Sequence, residues 1–317
     1  MSVLSKPYFH DEEAAYAKLE SLLWVDGPIC PHCGGVESIY KIKANKEKRV
    51  RIGLHKCGQC RKQFTVKVGT VFESSNVKLH LWFQAAYLMA SSKKGISAHQ
   101  LHRTLGVTYK TAWFMAHRLR EAMRSDNNGP LGGEGMVVEA DETYFGYKKI
   151  RSTTRSDGKP YKKGQRGPAN KRAIVSLVER GGNVRSFHVD SANKVTVTAI
   201  VAQNVAKESR LHTDESRLYS NAHMYVAKHE SVKHTAGEYV RGDVTSNSIE
   251  GYFSVFKRGM KGTYQHCSEK HLHRYLAEFD FRFNKRTALG VNDDQRADHA
   301  LRGIVGKRLT YGGSASA

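Results

Sequence analysis

The chain has 317 residues, enough for about two domains of roughly 100–200 residues each, and 39% of them are hydrophobic. Its 51 lysines and arginines outnumber 30 aspartates and glutamates, giving a formal net charge of +21 and a pI near 9.8. This excess favours a polyanionic partner; nucleic acid, and equally an anionic membrane surface, would satisfy it. No run approaches the roughly 18 apolar residues of a membrane helix, so no membrane-spanning segment is predicted.

Two Cys-x-x-Cys pairs follow a short amphipathic helix predicted within residues 1–27. Pairs of this kind in the segment 28–76 are typical of a tetrahedral zinc ribbon, and alternation over residues 63–68 predicts a strand there. The alternative is two unrelated redox or surface pairs. Because the N-terminus lacks the apolar core of a secretory signal, zinc ligation in a reduced, cytoplasmic compartment near the nucleoid is favoured. The four expected zinc ligands are Cys30, Cys33, Cys57 and Cys60.

Residues 77–124 have a helical period and include a helix-turn-helix pattern. Ser97 and Thr108 are predicted N-caps of two helices that meet in a tight turn at Gly106. The second helix of such a motif enters a major groove, so Tyr109 and Lys110 near its start are expected to contact DNA. An ordinary helical hairpin is the alternative.

A Gly- and Asn-rich linker at 125–135 precedes a domain predicted over 136–290, and residues 291–317 are expected to form a C-terminal tail. Apolar or alternating patterns predict strands at 137–145, 172–180 and 183–190, the last two joined at Gly181-Gly182. A helical stretch at 194–206 then leads to a strand that ends at Asp214. This order predicts an α/β catalytic domain with a ribonuclease H-like mixed sheet and flanking helices.

The segment from Lys148 to Arg172 contains ten basic residues and one acidic residue. Lys162, Lys163 and Arg166 within it are expected to contact DNA phosphates. The alternative is a solvated loop with no ligand.

Three carboxylates stand where one metal-dependent phosphoryl-transfer site would need them. Asp141 and Asp214 each follow an apolar strand pattern, and Glu250 lies on an amphipathic helix. Acids from two strands and a helix can converge on Mg²⁺ or Mn²⁺ ions, which prefer oxygen ligands. Glu142 and Asp190 are competing acids, the first pointing to the opposite strand face and the second ending a strand at the far side of the sheet.

The helix that carries Glu250 offers further polar groups on the same face. Asn247 lies three residues before Glu250 and is an alternative third ligand or an orienting group for water. Lys257, with the adjacent Arg258, is expected to hold a phosphate beside the site. A solvent-facing glutamate is the alternative reading of Glu250.

The ordered motifs of this chain resemble those of the ISXO-type insertion-sequence transposases, which are zinc-ribbon members of the DDE superfamily. The resemblance covers about residues 10 to 290, and its motifs are specific in combination. They are Cys-Pro-His-Cys-Gly-Gly (30–35), Cys-Gly-Gln-Cys (57–60), Gly-Thr-Val-Phe-Glu (69–73), Val-Glu-Ala-Asp-Glu-Thr-Tyr (138–144), Thr-Asp-Glu (213–215), Ser-Asn-Ser-Ile-Glu-Gly-Tyr-Phe-Ser-Val-Phe-Lys-Arg (246–258) and Tyr-Leu-Ala-Glu-Phe-Asp-Phe-Arg-Phe-Asn (275–284).

The resemblance implies a ribonuclease H-like catalytic domain and Mg²⁺-dependent strand cleavage and transfer at the terminal inverted repeats of an insertion sequence. Asp141 and Asp214 then take the two aspartate roles, and Glu250 takes the third acidic role, with Asn247 as the alternative. The chain departs from the family in two places: Thr213-Asp214-Glu215 lacks the usual following glycine, and Val244-Thr245-Ser246-Asn247 stands where His-Thr-Asn is common.

The expected partners are double-stranded DNA, as terminal repeats and as target, and further copies of the chain assembled on it. The leading hypothesis is a DNA transposase, and the alternative is a non-catalytic DNA-binding regulator derived from one. A structure-specific nuclease without strand transfer is a third reading.

Overall fold

The computed structural model describes residues 2–125, 129–148, 153–154, 160–161 and 170–310. The chain divides into two compact units. One unit is Asp126–Asn284, and the other joins Met1–Ser125 to Lys285–Ala317. No helix in the described ranges has the length and apolar character needed to cross a membrane.

The α-helices are α1 (Glu12–Leu23), α2 (Leu79–Ser91), α3 (Ala98–Leu105), α4 (Tyr109–Met123), α5 (Lys194–Asn204), α6 (Asn247–Gly259), α7 (Leu272–Asn284) and α8 (Asp293–Arg302). The strands are β1 (Ile39–Lys41), β2 (His55–Cys57), β3 (Gln63–Phe64), β4 (Val137–Tyr147), β5 (Thr153–Thr154), β6 (Pro160–Tyr161), β7 (Lys171–Glu179), β8 (Val184–Val189), β9 (Arg210–Thr213) and β10 (Lys228–Ser231).

The N-terminal part of the first unit contains the predicted helix and a small antiparallel sheet, β1-β2-β3. Asp11 caps α1 by accepting a 2.7 Å hydrogen bond from the Ala14 N–H. The strand expected over 63–68 is shorter than its alternating pattern, because only Gln63 and Phe64 pair with β2. Phe64 packs with the cysteines in a small apolar cluster of its own.

Helices α3 and α4 are joined by a short turn. Ser97 Oγ accepts a 3.1 Å hydrogen bond from the Gln100 N–H, and Thr108 Oγ1 accepts one of 3.2 Å from the Thr111 N–H. Gly106 ends α3 with a φ of 65°, a conformation that disfavours residues with a Cβ. The predicted caps and turn are therefore present, while contact of this helix pair with DNA stays a prediction.

The C-terminal segment expected to be a tail contains helix α8, which packs against α2 and belongs to the first unit. The Arg296 guanidinium donates hydrogen bonds to the carbonyl oxygens of Ala90 at 3.1 Å and Lys285 at 2.6 Å. Ala297, Ala300 and Leu301 are buried. Small apolar residues between charged ones give a weak periodic pattern, which explains why the sequence did not suggest this helix.

The second unit is built on a five-stranded mixed sheet in the order β10-β9-β4-β7-β8. The strands β4, β7 and β8 are antiparallel neighbours, whereas β9 and β10 run parallel to β4. This arrangement confirms the predicted ribonuclease H-like mixed sheet with flanking helices.

Each face of this sheet has its own apolar core. Val138 and Ala140 of β4 belong to the cluster that includes α5. Ile174 and Val178 of β7 belong to the cluster that includes α6 and α7. Because strand side chains alternate between faces, the odd-numbered residues of β4 at its buried centre face α6.

Candidate active site

Asp141 lies on the central strand β4, on the face that α6 covers. Its Oδ1 accepts a 2.7 Å hydrogen bond from the Glu142 N–H. Burial, followed by the negative charges of Glu142, Asp214 and Glu250, raises the pKa of Asp141 to about 8. A carboxyl group in this setting holds its proton at neutral pH until a cation compensates its charge.

Asp214 directly follows β9, the parallel neighbour of β4. Glu139 pairs with His212 across these two strands, and two residues further along each strand are Asp141 and Asp214. Asp214 Oδ1 accepts a 3.0 Å hydrogen bond from the Ser216 N–H. The two aspartates thus belong to adjacent strands. Asp214 follows its strand, as the pattern predicted, whereas Asp141 lies within β4, because the strand continues to Tyr147.

Glu250 reaches the same region from the first turn of α6. Its side chain is 48% exposed, and its Oε1 lies 3.8 Å from His234 Nε2. The Ser246 hydroxyl donates a 2.9 Å hydrogen bond to the same oxygen. Glu250 thus lies in the first turn of the helix that covers the Asp141 face of the sheet, and its charge is among the causes that raise the pKa of Asp141.

Asn247 is the first residue of α6 and is exposed. Its backbone N–H donates a 3.1 Å hydrogen bond to Thr245 Oγ1. It lies less than one turn from Glu250, so both remain candidates for the third ligand position.

Lys257 and Arg258 are exposed in the last turn of α6. The Lys257 ammonium lies 5.9 Å from the centre of the Phe253 ring, and Arg258 donates a 2.7 Å hydrogen bond to Ser254 Oγ. At 1.5 Å rise per residue they are about 10 Å along the helix from Glu250. They suit contacts with a flanking phosphate.

The competing acids differ in how far they stand from the three carboxylates. Asp190 is exposed after the edge strand β8, with β7 and β4 between it and β9. Glu142 faces the α5 side, as alternation predicts, yet burial and then the charge of Asp214 raise its pKa. Its Oε2 is buried and has no hydrogen-bond partner among the described residues. Although Glu142 lies on the opposite face of the strand, it therefore still interacts electrostatically with Asp214.

Two neighbouring residues were missed by reasoning from the sequence. His234, close to Glu250, comes from a loop whose residue spacing carries no signal. Glu139, two residues before Asp141, is fully buried and forms an ion pair with Arg180 at 2.8 Å. A glutamate inside an apolar strand was a usable signal for a buried carboxylate with a charged partner.

The four cysteines form a compact cluster. Their Sγ atoms all lie within 4.8 Å of one another, with 3.6 Å between Cys30 and Cys60 and 3.7 Å between Cys33 and Cys57. Tetrahedral coordination with Zn–S bonds of about 2.3 Å separates sulfurs by about 3.8 Å. The thiolate set and its spacing therefore fit a structural Zn²⁺ ion.

Within the described ranges, no other group of three or more His, Cys, Asp or Glu side chains has its ligand atoms that close together. The three carboxylates are thus more widely spaced than the cysteines. A two-metal site spreads its ligands over ions about 3.5–4 Å apart, and carboxylate oxygens are the donors that Mg²⁺ and Mn²⁺ prefer. The donor chemistry therefore fits hard divalent cations.

The residues expected to contact DNA lie in different regions. Tyr109 at the start of α4 is 44% exposed, and its ring stacks on His99 with centroids 4.3 Å apart. Lys110 follows it and is also exposed. Lys162, Lys163 and Arg166 lie outside the described residues.

Residues 130–284 match the ISXO2-like transposase domain family, and residues 10–63 match the transposase zinc-ribbon domain family. The chain is therefore similar to the ISXO2-like transposases over these two segments. The first match spans the whole mixed sheet and α6, and hence Asp141, Asp214 and Glu250. The zinc-ribbon match includes all four cysteines of the cluster.

The chain is also similar to two known proteins. It is 29% identical over 291 residues to an uncharacterized protein in the transposable element ISH50 of Halobacterium salinarum, covering 86% of this chain and 91% of that protein. It also aligns with a chain of the crystal structure of the Mos1 Strand Transfer Complex, at 11% identity and a TM-score of 0.22, over 64% of this chain and 76% of that one. A likeness that weak supports no conclusion about fold or function.

Proposed function

We propose that the protein is a DNA transposase that cuts and joins strands at the ends of an insertion sequence. The observation that carries the proposal is that Asp141 and Asp214 belong to adjacent parallel strands and Glu250 to the first turn of the helix over the same face, within the segment that matches the ISXO2-like transposase domain. Three convergent carboxylates suit metal-dependent phosphodiester chemistry better than DNA binding, because acids near phosphates weaken binding unless cations intervene.

Asp141, Asp214 and Glu250 would hold the divalent cations, Mg²⁺ or Mn²⁺. When bound, such ions activate the attacking oxygen and stabilise the leaving 3′ oxygen. The Glu142 N–H keeps one oxygen of Asp141 in place, which leaves the other oxygen for a cation. The Ser246 hydroxyl orients Glu250 in a comparable way. Asn247 is the alternative third ligand.

The DNA partner is proposed to be double-stranded, as terminal inverted repeats and as target. The net charge of +21 supports phosphate binding, and the exposed Tyr109 and Lys110 suit a major groove. Lys162, Lys163, Arg166, Lys257 and Arg258 are proposed phosphate contacts. We further propose that the protein acts as a homo-oligomer on DNA at the nucleoid, in the cytoplasm.

The test compares wild-type protein with Asp141→Asn, Asp214→Asn and Glu250→Gln on a labelled duplex that carries the element's terminal repeat. Each substitution keeps side-chain size and removes a charge that a cation needs. We expect each to abolish strand cleavage in Mg²⁺ while DNA affinity stays equal or rises slightly. Retained cleavage in either aspartate variant would refute the assigned site.

A further inference from the structure

Glu139 joins the strand that carries Asp141 to the helix that carries Glu250. One of its carboxylate oxygens accepts hydrogen bonds from the backbone N–H groups of Ser248 at 2.8 Å and Ile249 at 3.0 Å. Its other oxygen accepts from the Ser248 hydroxyl at 3.0 Å and from Arg180 at 2.8 and 3.1 Å. The side chain is fully buried.

These bonds replace the usual cap of α6. Ser246 occupies the N-cap position but makes no capping hydrogen bond, and its hydroxyl donates to Glu250 instead. The free N–H groups of a helix's first turn attract a negative charge, which an N-cap side chain normally supplies. Here the charge comes from a different element, so capping the helix also fixes where it starts relative to β4.

Arg180 extends the same connection to the segment that leads into α6. Its guanidinium donates to the carbonyl oxygens of Asp243 at 2.9 Å and Thr245 at 3.2 Å, as well as to Glu139. The residues just before the helix and the first turn of the helix are therefore held by one ion pair, in which Glu139 is buried and Arg180 is partly exposed.

We infer that Glu139 is a positioning residue for the proposed catalytic site: it sets the location of Glu250 relative to Asp141 and Asp214. Apolar packing of α6 against the sheet favours contact but tolerates small shifts along the helix axis, whereas two bonds to backbone N–H groups fix the first turn. The inference rests on the proposed function, because Glu139 acts only through the cations that the three acids would hold.

The test uses two glutamate-to-glutamine variants that differ in location. The glutamine amide in Glu139→Gln can adopt two orientations. In one, its NH₂ group faces the N–H groups of Ser248 and Ile249, and in the other it faces the Arg180 guanidinium, so one set of hydrogen bonds is lost either way. Glu278→Gln is the matched control, since Glu278 is also fully buried in the same unit and also pairs with an arginine, Arg282. The Arg282 pair lies within α7 and has no part in the first turn of α6.

Full-length wild-type protein and both variants are compared for cleavage rate, DNA affinity, Mn²⁺ affinity by calorimetry and thermal stability. Residues that orient metal ligands typically contribute about 10–100-fold to metal affinity or activity. We expect Glu139→Gln to lose at least about 10-fold in both Mn²⁺ affinity and cleavage rate, with DNA affinity unchanged. Glu278→Gln should keep the wild-type Mn²⁺ affinity, cleavage rate and DNA affinity, even if its melting temperature falls as much as that of Glu139→Gln. Equal losses in the two variants, or none in Glu139→Gln, would overturn the inference.

A second variant covers the case in which Glu139→Gln does not fold. Arg180→Lys keeps the positive charge but cannot contact Glu139, Asp243 and Thr245 together. It should lower Mn²⁺ affinity and cleavage in the same direction, and unchanged values in a folded Arg180→Lys protein would refute the positioning role. Failure of the proposed function is distinguishable, because then the wild-type protein itself neither binds Mn²⁺ at the acids nor cleaves.

Discussion

The Glu142 N–H donates a 2.7 Å hydrogen bond to Oδ1 of Asp141, its neighbour on the central strand. The bond fixes one oxygen of the aspartate to the backbone of the next residue and does not involve its second oxygen. An asparagine accepts the same bond through its amide oxygen, so Asp141→Asn isolates the effect of charge.

Asp141→Asn is expected to stabilise the metal-free protein. Folding raises the pKa of Asp141 from its ordinary 3.8 to about 8, mainly through burial. Between these pH values the folded protein keeps a proton that the unfolded chain has released, so the wild type loses stability as pH rises. The advantage of the variant should therefore grow from about pH 4 to about pH 8, as pKa shifts convert to stability at about 1.4 kcal/mol per unit before screening.

Urea denaturation of both proteins in chelator, at several pH values, measures this difference. With Mg²⁺ added the order should reverse, because the cation stabilises only the wild type. A variant no more stable than wild type at pH 8 in chelator would contradict the buried, repelled carboxylate described above.

The third ligand is decided by comparing Glu250→Gln with Asn247→Ala. Glu250 lies next to Ser246 and His234, whereas the described contacts of Asn247 involve its backbone. We therefore expect Glu250→Gln to abolish cleavage and Asn247→Ala to lower it by about 10-fold or less. Cleavage assays in Mg²⁺ and Mn²⁺ check this. The opposite ranking would move the third ligand position to Asn247.

Zinc loss should unfold the N-terminal sheet. Cys57→Ser removes a buried ligand, and because a structural zinc contributes the folding energy of a small module, we expect loss of one zinc per chain and proteolysis within residues 28–76. Cys267→Ser is the control, since Cys267 is outside the cluster. Metal analysis and limited proteolysis provide the readouts. Unchanged protection in a zinc-free preparation of the wild type would rule out a structural zinc.

The two sets of proposed DNA contacts should behave differently. Tyr109→Ala with Lys110→Ala should weaken binding to terminal repeats more than to random duplex, because groove contacts read sequence. Replacing Lys162, Lys163 and Arg166 with Ala should weaken both alike and reduce the salt slope by about 3. Titrations at several salt concentrations distinguish these outcomes, and an equal loss of specificity from both sets would contradict the assignment of Tyr109.

The sequence predicted most of what depends on local pattern. The apolar patterns before Asp141 and Asp214 indicated the two strands, and the cysteine spacing indicated a ribbon. Only Asp214 follows its strand, however, because β4 continues past Asp141 to Tyr147. The hydrogen bonds between Glu139 and the start of α6 could not be predicted, because Glu139 and Ser248 are 109 positions apart in the chain. Glu142 shows the limit of alternation: the pattern predicts the face of the strand that the side chain occupies, but not that the charge of Asp214 still acts on it. Helix α8 was missed because its apolar face consists largely of alanine.

The most direct test of the central claim incubates the wild-type protein with pre-cut terminal-repeat ends and a target duplex, in chelator, in Mg²⁺ and in Mn²⁺. A DNA transposase should join the 3′ ends covalently to the target in Mg²⁺ and in Mn²⁺, and should form no joined product in chelator. Protein that binds the repeats but never cuts or joins them with either metal would instead be a DNA-binding regulator, and the proposed function would be wrong.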